Sequence, residues 1–205
     1  MNKFAFALVA VSCVGSASAM TITFDEFGLQ PTFFSGANPL RNEYAGLGVS
    51  FTGPGPDDGG AILDKSGNFG VNPLSGDDFL AFNRVTTGVT MLNGGRPFDP
   101  ETVTFANPTS AVSIFASAGF FTGVFVMSAF DSSNNLLGMD VKTTAVGQWN
   151  QLSFSSSTNI NHITLTEVSS ARSFVYDNLS TVPEPATMAV LGLGAAALIR
   201  RRKRS

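Results

Sequence analysis

The chain has 205 residues, a formal net charge of −3, 43% hydrophobic residues and a single cysteine. That length suits one modest domain, and one cysteine excludes a disulfide framework. Cations are sparse and scattered through the middle of the chain, which excludes the clustered basic footprint of a nucleic-acid binder.

Residues 1–19 read as an export leader. Lys3 gives a minimal positive start, Phe4–Val11 an apolar run, and Ala17-Ser18-Ala19 a small-residue cleavage site. Cleavage by a signal peptidase leaves Met20 as the new N-terminus. A rival pattern, Ala10-Val11-Ser12-Cys13, reads as a lipoprotein box. Ala10 stands there where such boxes carry a large aliphatic, so Cys13 reads instead as part of the apolar run.

Residues 20–180 form the body. From Met20 to Val182 six basic residues (Arg41, Lys65, Arg84, Arg96, Lys142 and Arg172) face fourteen acidic ones, a net of −8. No cysteine remains, and about 160 residues bury roughly two-thirds of their unfolded surface without a covalent staple. Gly and Pro punctuate short runs of β-branched and aromatic residues, which predicts strands and no long helix. The predicted strands are Thr21–Phe24, Leu47–Thr52, Phe79–Phe82, Val85–Leu92, Glu101–Ala106 and Ala111–Ala118. Val124–Asp131, apolar on both faces, reads as a central strand, and Asp131–Asn135 as a turn. Leu136–Thr143, Trp149–Ser155, Ile160–Val168 and Ser173–Ser180 complete about ten strands. Residues 53–78 are rich in Gly, Pro and Asp, with only Ala61–Leu63 expected to be ordered. The expected fold is all-β, an antiparallel sandwich or barrel.

The tail has three parts. A linker at 181–185 carries Pro183-Glu184-Pro185, then comes an uncharged segment at 186–199, then Arg200-Arg201-Arg202-Lys203-Arg204 within the basic terminus 200–205. As a helix the fourteen-residue segment spans only about 21 Å, short of a roughly 30 Å hydrocarbon core. The basic cluster resists translocation and acts as a membrane stop. The geometry suits a segment that stalls in the membrane and is then cut. Together these parts resemble the PEP-CTERM sorting signal of Gram-negative bacteria. The resemblance implies processing by an exosortase-type membrane peptidase, transient membrane insertion, and delivery to an envelope or exopolysaccharide matrix.

Three further segments carry a second resemblance: Ile22–Phe27, Tyr44 with Gly48–Phe51, and Phe174–Leu179. With the Ala129–Gly138 hairpin they resemble bacterial exported jelly-roll domains over about residues 21–180. A jelly roll brings its first and last strands close, which makes Asp25, Glu26, Asp177 and Asn178 a candidate calcium set. A structural calcium ion is the one cofactor these residues suggest; the alternative is that the acids simply cap strand ends and turns.

The remaining chemistry is thin. His162 is the only histidine, placed mid-strand opposite Ile163 and Leu165, so it reads as a solvated-face residue rather than a general base. Asp57-Asp58, Asp77-Asp78 and Asp99 with Glu101 are candidate carboxylate pairs, but nothing in the sequence predicts the burial a general acid needs. Trp149 is the candidate ligand platform, with Tyr44 or Tyr176 as partners, although packing is the simpler account of Trp149. The reading is of an exported envelope or matrix protein with a non-enzymatic structural or binding role. A calcium-stabilised carbohydrate-binding module is the alternative, and a secreted hydrolase the third.

Overall fold

The computed structural model describes residues 19–84, 88–169 and 171–183. The helices expected in the leader and in the apolar tail segment, and the basic terminus, lie outside these residues. The strands are β1 Met20–Ile22, β2 Val49–Thr52, β3 Ala61–Asp64, β4 Asp78–Asn83, β5 Glu101–Ala118, β6 Gly123–Phe130, β7 Leu136–Thr144, β8 Asn150–Glu167 and β9 Ser173–Pro183. Helical structure among the described residues is limited to three single 3-10 turns, Phe34–Gly36, Ala45–Leu47 and Lys65–Gly67.

All these strands pair antiparallel, and two long ones serve both halves of a sandwich. One half runs β2, the start of β5, the end of β8, β6 and β7. The other runs β3, β4, β9, the end of β5 and the start of β8, with β1 beside β9. β5 changes halves at Asn107-Pro108, where its register with β8 breaks between Thr104 and Thr109. Proline donates no ladder bond and belongs at such a bulge. The bulge also flips inward parity, from Glu101, Val103 and Phe105 to Val112, Ile114 and Ala116. β8 makes the matching change between Ile160 and Ile163.

Those phase changes explain two differences from expectation. Glu101–Ala106 and Ala111–Ala118 are one strand, and so are Trp149–Ser155 and Ile160–Val168, because a parity switch in the sequence looks like a gap. A third difference is Val85–Leu92. Residues 88–92 form turn and coil, closed locally by Met91 N–H donating to Gly95 O and Gly94 N–H to Met91 O. β6 is central in pairing yet alternates, with Gly123, Phe125, Met127 and Ala129 buried and their neighbours half-buried.

The main core lies between the halves and includes Phe24, Tyr44, Phe51, Phe82, Phe125, Phe174 and Tyr176. A second core covers the outer face of β3, β4 and β9, where Phe34, Phe69 and Met91 from loops pack on Leu63, Phe79 and Val175. β4 is therefore buried on both faces from Asp78 to Phe82, which accounts for its unbroken apolar run.

The last strand extends further than the sequence suggested. Thr109 pairs with Pro183, and Thr109 Oγ donates to Val182 O at 2.6 Å. Thr181, Val182 and Pro183 thus belong to the sheet rather than to a linker starting at 181.

Candidate functional site

Of the four candidate calcium residues, Asp25, Asp177 and Asn178 lie around loop 74–78, whereas Glu26 turns to Thr23 and Tyr44. β1 pairs with β9 from Met20 with Thr181 to Ile22 with Leu179, which carries Asp25 toward Asp177. Phe24, fully buried in the main core, has φ of 68°, a strained value for a bulky residue that packing must hold in place. The turn directs Asp25 Oδ1 to accept from Asp77 N–H at 2.7 Å and Asp78 N–H at 3.0 Å. A side chain at position 76 would put its Cβ 2.0 Å from that oxygen, so only glycine fits. Glu26 caps Thr23 and accepts from the Tyr44 hydroxyl at 2.7 Å.

Asp177 and Asn178 form a bulge in β9, where register with β5 shifts and Asn178 takes φ of 52°. Asn tolerates that left-handed conformation better than most residues. Asp177 Oδ2 accepts from Leu74 N–H at 2.9 Å and Ser75 N–H at 3.2 Å, and Asn178 Oδ1 accepts from Ser75 Oγ at 2.7 Å. Burial, with the charge of Asp25 nearby, pushes Asp177 up to about 6. Asp78 rises to about 6 by burial and by the charges of Asp25, Asp64 and Asp77. As they stand, these oxygens hold loop 74–78 through its amides. Among the described residues, no three or more His, Cys, Asp or Glu side chains converge as a metal set.

A second acidic group is buried, which nothing in the sequence predicts. Glu101 and Glu167 are fully buried, and Asp99 nearly so. Arg84 bridges two of them, Nε to Asp99 Oδ1 at 2.6 Å and Nη1 to Glu167 Oε2 at 3.3 Å. Glu101 Oε2 accepts from Gly60 N–H at 2.8 Å, while Glu101 Oε1 and the Tyr176 hydroxyl have no hydrogen-bond partner. Burial pushes Glu101 up to about 8, against the opposing pull of the Gly60 amide and Arg41. Burial thus favours the neutral form of this carboxyl. The sequence missed it because inward parity places Glu101 in register with Val103, an apolar stripe that does not announce an acid at its end. No cavity described below is lined by these carboxylates.

His162 is half-buried on the face opposite Ile163 and Leu165, as expected. Its ring stacks on Phe130 at 4.8 Å between centroids, and partial burial lowers its pKa despite the charge of Asp131. Trp149 packs partly buried against the second core, and its Nε1–H donates to Asn72 O at 2.9 Å. Tyr44 and Tyr176 are buried, so neither is a surface partner for it.

The exposed aromatics lie elsewhere. A groove of about 440 Å³ opens between Phe33 and Phe120, over a floor of Phe34 and Phe69, with Asn68 and Thr90 on its rim. Phe33 and Phe120 are 65% and 51% exposed, so their rings are not core filling. Asn83 Nδ2 donates to Ser173 Oγ at 3.2 Å along one wall. Counting phenylalanines does not separate these two from the buried ones; only the loop geometry does. A second opening, about 290 Å³, lies over Ser113, Ser153, Ser155 and Ser180 on the outer sheet face.

Comparison with known proteins agrees with the tail and the fold. Residues 181–204 match the PEP-CTERM protein-sorting motif. No curated protein sequence matches the chain. Among solved structures, the chain is similar to the K2 cleaved adhesin domain of Lys-gingipain, at 7% identity and TM-score 0.52, covering 80% of this chain and 99% of that one. It is also similar to the K1 cleaved adhesin domain of Lys-gingipain from Porphyromonas gingivalis W83, at 12% identity and TM-score 0.46, with coverage of 82% and 99%. A xylan-binding domain from CBM 22 matches at 15% identity and TM-score 0.41, with coverage of 74% and 95%. At these identities a likeness speaks to fold alone, and the body is a β-sandwich of the jelly-roll kind. Among the described residues no helix is long and apolar enough to cross a membrane.

Proposed function

We propose that this is an exported component of the cell envelope or its exopolysaccharide matrix, delivered through its sorting motif, whose body binds or builds rather than catalyses. The observation that carries the reading is the motif match over residues 181–204. It supports handling by an exosortase-type peptidase after a signal peptidase has removed the leader. A non-enzymatic role is supported by the placement of Glu101, which is fully buried and lines none of the openings described above. The acidic body supports solubility outside the cell.

The test is intact mass with terminal peptide mapping of the native protein from envelope and medium. A chain that begins at Met20 and ends just beyond Pro183 is the expected result. A chain that keeps Ser205 in the membrane makes the tail a permanent anchor and removes the peptidase from the account.

A further inference from the structure

We infer that the groove between Phe33 and Phe120 binds a segment of an uncharged polysaccharide, a site that rests on the reading of the body as a binding module. The first ground is chemical. Phe33 and Phe120 present large apolar faces to solvent from two separate loops. Ser35, Asn68 and Thr90 stand exposed between and beside them. A ligand that answers both features has flat apolar faces and an edge dense in hydroxyls, which is the surface of a sugar ring. The volume of about 440 Å³ lies inside the range of about 300–1,000 Å³ typical of ligand sites.

Charge selects among polysaccharides. Among the described residues no Lys, Arg, Asp or Glu lines the groove, and the body around it carries a net of −8. A polyanion would meet the repulsive field of that net charge. An extended peptide is disfavoured for another reason. The groove is walled chiefly by loops, at 33–35, 67–69, 88–90 and around 120, so it offers no free strand edge for main-chain pairing.

The groove is also built in advance. A Cβ on Gly67 would lie 2.1 Å from Thr32 O, one on Gly119 1.5 Å from Phe69 O, and one on Gly70 2.4 Å from Gly119 O. Three loops therefore cross backbone against backbone, closer than any side chain allows. Beneath them Phe34 meets Phe69 edge to face at 5.9 Å, and Phe69 meets Phe79 at 5.1 Å. The floor is thus continuous with the second core, and the rings above it need little ordering when a ligand arrives.

The experiment is affinity electrophoresis of the natively processed protein. Gels carry hydroxyethyl cellulose, galactomannan or dextran as uncharged probes, and alginate as the anionic one. Slowed migration in at least one uncharged gel is expected, with none in alginate. Phe33→Ala with Phe120→Ala is expected to weaken that retardation at least about tenfold, while Phe33→Tyr keeps it. Both rings are exposed, so the double variant keeps its thermal midpoint, which guards against loss through unfolding. Full migration in every uncharged gel, retardation unchanged by the double variant, or stronger retardation by alginate each overturns the site. A correctly processed chain that no uncharged probe retards sinks the groove alone, whereas a chain that retains both termini sinks the proposed function.

Discussion

Asp177 accepts two loop amides and the amide of its neighbour Asn178, all from a buried position. Asp177→Ala leaves those donors without a partner and is expected to cost about 2–4 kcal/mol, read from urea midpoints, with Asp177→Asn losing less. Tyr44→Phe is a milder case. Partial burial raises Glu26, but the Thr23 amide and the Tyr44 hydroxyl outweigh it and hold the carboxyl below its usual value. Loss of the hydroxyl is expected to cost about 1 kcal/mol and to raise Glu26 in a titration by NMR. The raised carboxyls set a pH dependence with a definite sign. Asp78 and Asp177 near 6, and Glu101 near 8, each bind a proton more tightly folded than unfolded. Their stabilisation is complete below the unfolded values near 4 and is lost as pH rises through the folded ones. Glu26, Asp64, Asp131 and Asp140 are lowered and act oppositely, losing stability as pH falls below about 4. Lowered His162 favours the fold as pH rises through about 6.5. Denaturation across pH 3–10 is expected to show a mildly acidic optimum, and Glu101→Gln is expected to flatten the alkaline arm.

At the level of strands and loops, glycine crossings carry more than propensity does. Gly119→Ala sets a methyl against Phe69 O, and the shift it forces is expected to cost about 1–3 kcal/mol or more by thermal unfolding. How much of the architecture the sequence disclosed follows from the same local rules. β2, β4, β6, β7 and β9 were legible because each holds one alternation or one apolar run between turn residues. β5 and β8 were not, since a bulge that flips parity cannot be told from a break without knowing the partner strand. The second core was also hidden. Phe34, Phe69 and Met91 sit in loops, and only their meeting on β3, β4 and β9 makes them interior. Pairing of the first and last strands brings Asp25 near Asp177, but the four residues expected to hold calcium do not converge as a metal set. The groove was not foreseen, because Phe33 and Phe120 are 87 positions apart and converge only through loop crossings.

For the whole molecule, the placement of the last strand matters most. A body ending at Pro183 is expected to melt higher than one ending at Ser180. The shorter chain loses the pairing of Thr181, Val182 and Pro183 with β5, and the bonds from Thr109 and Ser110 to Val182 O. β9 is also an interior strand, flanked by β5 along most of its length and by β4 and then β1 on its other side. A pull on the C-terminal tail therefore runs along the axis of β9, at right angles to its ladder bonds. Those bonds share the load in shear instead of opening one at a time like a zipper. Whenever the chain is held by its tail, tension enters the sandwich through an interior strand that is bonded on both sides.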